Sequence, residues 1–357
     1  MIRRLLSIPV ALQLVALFIS GCLPTPTDVP TSQGSIDAPG IFVLCEGLWR
    51  QDNSTLWFIG DDGTVVRDVV GTFNPQLRLG DTGTDVHVRG DSIWVVVSTS
   101  RSIELFHRRT GLWLARLRFD DLREPYAMAF VNDSVAVCTF LNDASIAEFD
   151  PRRMTVRVER AAVGAAPEGI AVLAGRIYVA NSGLGDLRRS EQGAGTVTVL
   201  SASDLSTVDT ISGLPNVRSV VADPRTGRVW CIYRHLVSMP DSLGGVVAYD
   251  AATATITEHY RLRAPTSACI DPRSGSLYVL HAGGVSRIVA GTLKPIVDRQ
   301  GQDAWYGLAW DSRRGRLIIA SARTYVTDGE VLFADTSGAI VRRVDVGVNP
   351  GRMVVVD

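Results

Sequence analysis

The sequence predicts an all-β protein, a seven-bladed β-propeller, because one β-rich pattern returns along the chain at a steady interval. The run RIYVANSG (176–183) has counterparts in SIWVVVST (92–99), SVAVCTFL (134–141), RVWCIYRH (228–235), SLYVLHAG (276–283) and RLIIASAR (316–323). A polar turn that contains Gly, Asn or Asp precedes each run, as is usual in β-hairpins. Sustained helical periodicity is not seen in any part of the sequence.

Each repeat predicts four antiparallel strands. One apolar strand lies before the turn, as in EGIAVL (168–173), and two more strands follow each run. The segment GTVTVLSASDLSTVDTI (195–211) is matched by GGVVAYDAATATITEHY (244–260) and GEVLFADTSGAIVRRVDV (329–346). Units of four strands that recur at intervals of roughly 40 to 50 residues are typical of β-propellers.

The number of blades follows from the innermost strands. We expect seven of them, with starts near Asp85, Tyr126, Glu168, Val217, Thr266, Tyr306 and Pro350. The first unit has only three strands, at 41–45, 55–60 and 64–70, and the chain ends in one more, GRMVVVD (351–357). The C-terminal strand is therefore expected to complete the first blade and close the ring, which removes exposed sheet edges. The propeller then occupies residues 40–357.

The first 39 residues read as a targeting segment and a tether. Arg3 and Arg4 precede an apolar stretch (5–20) that is too short to span a bilayer comfortably. The stretch ends in Ile-Ser-Gly-Cys (19–22), which resembles the bacterial lipobox, so residues 1–21 are predicted to be a lipoprotein signal peptide and Cys22 the lipidated residue. The Pro- and Thr-rich segment 22–39 is expected to be an extended tether.

Charge and cysteine content narrow the classes of function. The formal net charge of −1 argues against a nucleic-acid partner bound through a broad basic surface. Four further cysteines (45, 138, 231 and 269) lie in apolar strand-like runs, without a CxxC motif or a Cys/His cluster. They are expected to be buried thiols, although the sequence leaves a disulfide open.

Function is expected on one face of the propeller. Loops that join second to third strands, and fourth strands to the next blade, meet on one face and are long here, as at 47–54, 71–83, 181–195, 233–245, 298–306 and 321–329. We name this side the long-loop face, and long loops on a rigid scaffold are where binding residues concentrate. Its Trp, Tyr and Arg content is typical of binding surfaces. The candidate ligand-binding residues are Trp49, Arg50, Phe140, Arg188, Arg189, Tyr233, Arg234, His235, His281, Arg323 and Tyr325.

Catalytic patterns are weak, and no catalytic or metal-binding residue is assigned. His235 and His281 end second strands and so point towards the long-loop face, where they could act as ligands or bases. Glu46, Glu168 and Asn181 fall near the same face, which keeps a lactonase-type or lyase-type hydrolase open as an alternative. No HxH, GxSxG or DxDxDG pattern strengthens that alternative.

The opening repeat and several further stretches resemble the YncE-like (YVTN-repeat) propellers of bacterial envelopes. The resemblance is carried by PEGIAVLAGRIYVANSG (167–183), VLCEG (43–47), LGDTGTDVHVRGDSIWVVV (79–97), YGLAWD (306–311) and DGEVLFADTSGAIVRRVDVGVNPG (328–351). Together these look like the surface-lipoprotein branch of the family, over essentially all of residues 40–357. Cys45 departs from that pattern, because many relatives have a polar residue at this position.

The resemblance implies a binding protein rather than an enzyme. Some members of this branch are lipid-anchored propellers that capture cobalamin beside a TonB-dependent transporter, and others have no assigned ligand. We therefore expect a monomeric, non-enzymatic lipoprotein of the outer membrane, in the periplasm or on the cell surface. Its first-choice ligand is a corrinoid, its expected partner is a TonB-dependent receptor, and no cofactor is expected. A hydrolase and a protein-binding scaffold of the envelope remain alternatives.

Overall fold

The computed structural model of the chain describes residues 36–119, 122–239, 243–299 and 301–357. The predicted signal peptide, Cys22 and most of the predicted tether lie outside these residues. Within the described ranges, no helix is long and apolar enough to cross a membrane.

The described chain forms seven four-stranded antiparallel sheets, as the repeat predicts. Blade 1 contains β1 (Gly40–Cys45), β2 (Thr55–Gly60), β3 (Val65–Val66) and β28 (Pro350–Val356). Blade 2 contains β4 (Gly83–Arg89), β5 (Ser92–Val97), β6 (Ser102–His107) and β7 (Trp113–Arg118). Blade 3 contains β8 (Pro125–Phe130), β9 (Ala136–Phe140), β10 (Ser145–Asp150) and β11 (Thr155–Ala162).

The remaining blades repeat the same order. Blade 4 contains β12 (Pro167–Leu173), β13 (Arg176–Asn181), β14 (Thr196–Ser201) and β15 (Thr207–Ile211). Blade 5 contains β16 (Val217–Asp223), β17 (Arg228–Tyr233), β18 (Gly244–Asp250) and β19 (Thr255–Leu262). Blade 6 contains β20 (Ser267–Ile270), β21 (Leu277–His281), β22 (Gly284–Val289) and β23 (Thr292–Asp298). Blade 7 contains β24 (Trp305–Asp311), β25 (Arg316–Ser321), β26 (Asp328–Ala334) and β27 (Ile340–Val348).

The predicted closure of the ring is confirmed. The C-terminal strand β28 pairs antiparallel with β1, from Gly40 opposite Val356 to Cys45 opposite Pro350. This makes β28 the innermost strand of blade 1, in the order β28-β1-β2-β3. The two ends of the described chain are therefore hydrogen-bonded within one sheet, which leaves no open edge between the first and last blades.

One predicted element of blade 1 is wrong. The strand expected at 64–70 is reduced to the two residues of β3, and a short helix, α1 (Val69–Phe73), follows it. Val69 and Val70 are both fully buried in the core between blades 1 and 2. Adjacent side chains of a strand point to opposite faces, whereas a helical turn lets both valines face the same core.

The hydrophobic core lies between the blades. Seven clusters of buried side chains occur in the described chain, one at each blade-to-blade interface. On β5, Val95 belongs to the cluster shared with blade 1 and Val96 to the cluster shared with blade 3. Because successive side chains alternate between the faces of a strand, one apolar run supplies two interfaces.

Three of the four cysteines outside the signal segment are also buried between the blades. Cys45, Cys138 and Cys231 are buried in these clusters, Cys269 is half-buried, and all four are unpaired. Burial raises the pKa of Cys45, Cys138 and Cys231 to about 12. They remain protonated at neutral pH and pack as small apolar groups.

Candidate functional site

The entrance to the central channel is built from one repeated position. In most blades the pairing of the innermost strand with the next strand shifts register near its first residues. Such bulges redirect a side chain out of the regular alternation. Every blade contributes one residue to the wall of a single cavity. In six blades it is the second residue of the innermost strand, and in blade 6 it is the residue before β20. We call these seven residues the mouth ring: Thr84, Tyr126, Glu168, Arg218, Thr266, Tyr306 and Gly351.

The cavity has a volume of about 420 Å³, which lies in the range of small-molecule sites. Innermost strands begin, and second strands end, on the long-loop face, so the cavity opens there. Residues after second strands add to its wall, namely Glu46, Arg234 and Ala282. Further lining residues that the argument uses are His281, Arg299, Trp305, Tyr325 and Arg352.

Positively charged side chains outnumber negatively charged ones in the lining of the cavity. Four guanidinium groups, of Arg218, Arg234, Arg299 and Arg352, line it together with only two carboxyl groups, of Glu46 and Glu168. The cavity wall therefore carries an excess of positive charge, in a protein whose formal net charge is −1.

Two of the arginines have acidic neighbours. Arg218 Nε donates a hydrogen bond to Glu168 Oε2 at 2.7 Å, and this ion pair raises the pKa of Arg218. Arg352 Nε lies 3.8 Å from Asp85 Oδ1. Burial is the largest influence on Arg352 and lowers its pKa, but the charge of Asp85, together with smaller contributions from Tyr126, Tyr306 and Glu46, raises the pKa overall. Both arginines are therefore held charged.

The other two arginines make no ion pair with a described residue, although the Glu168 charge acts on Arg234 from a distance. The guanidinium of Arg234 makes no ion pair or hydrogen bond within the described ranges, and Arg299 Nη1 donates only to the carbonyl oxygen of Asp303, at 3.3 Å. Desolvation, followed by the nearby Arg218 charge, lowers the pKa of Arg234. An anion in the cavity would relieve this unfavourable field.

Glu46 is a carboxyl group of the cavity whose pKa is raised. Burial raises its pKa to about 7, and a hydrogen bond from Tyr306 Oη at 2.8 Å and the Arg352 charge only partly oppose the rise. The position of the Glu46 carboxyl group depends on the absence of a side chain at Gly351. A Cβ atom at Gly351 would lie 3.0 Å from Glu46 Oε1 and 3.2 Å from a ring carbon of Tyr306, so a larger residue would displace this pair.

Two buried oxygens of the mouth ring lack hydrogen-bond partners among the described residues, Glu168 Oε1 and Thr84 Oγ1. Glu168 is 2 % exposed and Thr84 is 5 % exposed. Buried polar atoms normally have a partner, because an unsatisfied one costs about 1–3 kcal/mol. Both residues line the cavity, and each keeps one buried oxygen that no described residue satisfies.

His281 lines the cavity, but the protein already uses both nitrogens of its ring. The backbone N–H of Gly283 donates to Nδ1 at 3.1 Å, and Nε2 lies 2.8 Å from Ser286 Oγ. Desolvation and the Arg299 charge lower the pKa of His281, which keeps the ring neutral. Nδ1 is then the acceptor and Nε2–H the donor, so neither nitrogen is open to a ligand.

Three of the five residues suggested for a hydrolase, His281, Glu46 and Glu168, line the same cavity. His235 lies in the loop after β17 and is not part of the cavity wall, whereas Glu46 and Glu168 are. Asn181 is fully buried and donates to Thr196 Oγ1 and Thr198 Oγ1. Across the residues that the structure describes, no group of three or more His, Cys, Asp or Glu residues is placed to hold a metal ion.

The structure brings three of the eleven candidate ligand-binding residues into the cavity: Arg234, His281 and Tyr325. Tyr325 is 48 % exposed and its ring packs edge-on against Tyr306, with centroids 5.8 Å apart. It forms a partly open aromatic edge of the cavity.

Two other candidates lie in the interior. Phe140 is fully buried, edge-on to Phe119 at 4.9 Å and under the guanidinium of Arg123 at 4.4 Å. Tyr233 is 4 % exposed, and its hydroxyl lies 2.6 Å from His259 Nε2. Each is the last residue of a second strand, where the side chain turns into the blade-to-blade core instead of the loop surface.

The remaining candidates lie on the long-loop face outside the cavity. Trp49 is 66 % exposed and Arg50 stacks over its ring at 4.2 Å. Arg188 pairs with Glu191 at 2.6 Å, Arg189 donates to Ser238, and Arg323 pairs with Asp345 at 2.6 Å. These arginines bind loop partners and so stabilise the loops themselves.

Most of the cavity was not predicted as a ligand site, although a signal for it exists. The mouth ring occupies the same position at the start of each innermost strand, and Tyr126, Glu168, Thr266 and Tyr306 mark strand starts in the sequence. Aligning those starts would have selected the ring. Richness in Trp, Tyr and Arg selected loop residues, and the loops use most of those side chains for internal contacts.

Comparison with known proteins identifies the fold alone. No protein-family model matches the sequence, and no curated protein is similar enough to count as a relative. The structure is similar to a quinonprotein alcohol dehydrogenase-like protein from Bacteroides thetaiotaomicron, with a TM-score of 0.70 and 12 % identity over 90 % of this chain and 79 % of that one. It is also similar to hydrazine synthase from Kuenenia stuttgartiensis, with a TM-score of 0.58 and 16 % identity over 73 % of this chain and 85 % of that one.

Proposed function

We propose that the protein is a ligand-binding propeller that holds a small organic anion in the cavity at the channel mouth. The observation that carries the proposal is the pair Arg234 and Arg299, two guanidinium groups at a concave site without an acidic partner among the described residues. Guanidinium forks match carboxylate and phosphate groups, and the hydrogen bonds they make to anions are among the strong ones.

The cavity is small compared with a corrinoid, the ligand expected from the sequence. A cavity of about 420 Å³ suits a compact molecule, and a corrinoid would place only a peripheral group, such as its phosphate, within it. The macrocycle would then lie over the mouth against Tyr325. Trp49 and Tyr233, which were expected to contact it, are outside the cavity.

Calorimetric titration with citrate, pyrophosphate, galacturonate and cyanocobalamin tests the proposal. We expect at least one of the three small anions to bind, and Arg234→Gln to weaken that binding by about tenfold or more, since a hydrogen bond to a charged group contributes about 1.5–3 kcal/mol. Arg189→Gln is the matched control, because Arg189 lies on the same face but outside the cavity. No binding of any anion would refute the proposal. Tight binding of cyanocobalamin that Tyr325→Ala weakens would favour the corrinoid instead.

Acid–base catalysis is a second candidate, supported by the pKa of Glu46. A carboxyl group with a pKa of about 7 in a cavity is suited to general acid or base work at neutral pH, and Tyr306 would orient it. Incubation with sugar lactones and uronates, followed by NMR, tests this. Turnover that Glu46→Gln abolishes would support an enzyme, and an unchanged spectrum over days would count against one.

The envelope lipoprotein remains part of the proposal. Cys22 in the lipobox-like segment is its basis, and Cys22→Ala should release the protein from the membrane fraction. Exposed apolar side chains on the long-loop face, at Trp49, Leu187 and Val237, support a protein partner such as a TonB-dependent receptor. Crosslinking from membranes with a Leu187→Asp, Val237→Asp variant as control tests that partner.

A further inference from the structure

The unpartnered oxygens of the mouth ring say more about the ligand than its charge. Glu168 uses Oε2 for Arg218, while Oε1 has no donor among the described residues. Thr84 Oγ1 also has no hydrogen-bond partner among the described residues. Glu168 and Thr84 both line the cavity that contains Arg234 and Arg299. The site therefore offers acceptors as well as cations. A simple anion can accept from the guanidinium groups and from the Thr84 hydroxyl, but it cannot donate to Glu168 Oε1.

The donors that suit these acceptors are neutral. Arg218 lies against Glu168, and both desolvation and the Arg218 charge lower the pKa of Arg234, so the Arg218 and Arg234 charges repel each other. A ligand ammonium group beside Glu168 would add to that repulsion. A hydroxyl group donates a hydrogen bond without adding charge.

The aromatic wall is consistent with a hydroxylated ring or chain. Tyr126, Trp305, Tyr306 and Tyr325 line the same cavity, and the Tyr306 hydroxyl is committed to Glu46 at 2.8 Å. Aromatic faces pack against C–H groups of a ligand, while its hydroxyl groups bond to acceptors at the rim.

We propose, building on the proposed function, that the ligand is a polyhydroxylated organic anion, a sugar acid or a sugar phosphate. Its acidic group binds Arg234 and Arg299, and its hydroxyl groups donate to Glu168 Oε1 and Thr84 Oγ1. Neighbouring atoms cover both oxygens, so a small adjustment of the cavity wall accompanies binding.

The test compares ligands that differ in one feature. Galacturonate and glucose 6-phosphate carry both features, hexanoate and phenyl phosphate carry the anion without a sugar, and glucose carries hydroxyl groups without charge. Calorimetry should show at least one of the first two binding tenfold or more tightly than its hydroxyl-free counterpart and than glucose. Which of the two binds better distinguishes a carboxylate ligand from a phosphate ligand.

The variant Thr84→Val sharpens the test, because it keeps the side-chain shape and removes only the hydroxyl. We expect it to weaken the sugar anion about fivefold and to leave the hydroxyl-free anion unchanged. Thr196→Val is the matched control, since Thr196 Oγ1 is bonded to Gly193 and Asn181 outside the cavity. A thermal melt confirms that each variant is folded.

The outcomes separate the two proposals. If hexanoate or phenyl phosphate binds as tightly as the sugar anions, the ligand class is wrong and the anion site stands. If Thr84→Val weakens both kinds of anion equally, the assignment of the Thr84 hydroxyl is wrong. If no anion binds, both this inference and the proposed function are wrong.

Discussion

The two faces of the propeller use similar polar residues, but they satisfy them differently. On the face of short turns, aspartates at the ends of strands accept a hydrogen bond from the backbone N–H two residues later. The N···Oδ1 distances are 2.9 to 3.2 Å, and the residues are Asp150, Asp223, Asp250, Asp271 and Asp311. At the mouth of the channel, Thr84 Oγ1, Glu168 Oε1 and the Arg234 guanidinium have no such partners among the described residues. These turn carboxylates have partners within their own turns, whereas the mouth groups have none among the described residues.

The difference separates stability from function within a single scaffold. Side chains whose partners lie within their own turn stabilise the blades, and changing them should affect folding. Groups without partners cost stability, and under the proposed function the groups at the mouth gain partners from a ligand. Each prediction below tests one side of this comparison.

The largest effect is expected at the ring closure. Deleting residues 351–357 removes almost all of β28, exposes the edge of β1 and opens the ring, so the shortened protein should not fold cooperatively. Circular dichroism during heating measures this. Deleting Asp357 alone is the control, because its side chain is 93 % exposed, and this variant should melt close to the parent. A parent-like transition in the longer deletion would contradict the role of closure.

The next effect concerns Asp311 on the short-turn face. Its carboxylate is fully buried and pairs with Arg313 and Arg316 at 3.2 and 3.1 Å, and Arg313 donates to the carbonyls of Val356 and Gly40. Removing one partner of a buried pair costs about 3–5 kcal/mol, so Asp311→Ala should lower the free energy of unfolding by that amount. Asp133→Ala removes an exposed partner of Arg89 and should cost less than about 1 kcal/mol. Urea unfolding measures both.

Glu46 predicts a dependence of stability on pH. Its pKa is 4.5 without the fold and about 7 within it, so between these values the folded protein binds more protons than the unfolded chain. The free energy of unfolding should therefore fall as pH rises from about 4.5 to 7, by at most about 3 kcal/mol. Glu46→Gln removes the titrating group and should flatten this part of the profile. Identical profiles for the two proteins would show that Glu46 does not titrate in this range.

The smallest expected effect is a difference in stability between valine substitutions at Thr84 and at Thr139. Thr84→Val removes an unsatisfied buried hydroxyl and should raise the free energy of unfolding by about 1 kcal/mol. Thr139→Val should lower it by a similar amount, because Thr139 Oγ1 accepts from Ala127 N and donates to Glu168 O, both at 3.1 Å. Equal changes of one sign would remove the contrast between satisfied and unsatisfied groups.

Local patterns account for much of the fold. Alternation of apolar and polar residues, and Gly- or Asp-containing turns, predicted the seven blades and the closing strand, since strand and turn formation depend on neighbouring residues. The helix Val69–Phe73 was missed, because its two valines are ordered by the core between blades 1 and 2 and not by a helical period in the sequence. The burial of Phe140 and Tyr233 was missed for the same reason.

By itself, the sequence determined the repeat, the strand count and the face on which long loops meet, all of which follow from residues that are close along the chain. Only the tertiary structure decided which polar atoms lack partners. Glu46, Thr84 and Arg352 come together after the chain has travelled the whole ring, and Gly351 leaves the space that Glu46 and Tyr306 occupy. Closure of the ring completes the mouth, because the Tyr306–Glu46 hydrogen bond and the contact of Arg352 with Thr84 join segments hundreds of residues apart.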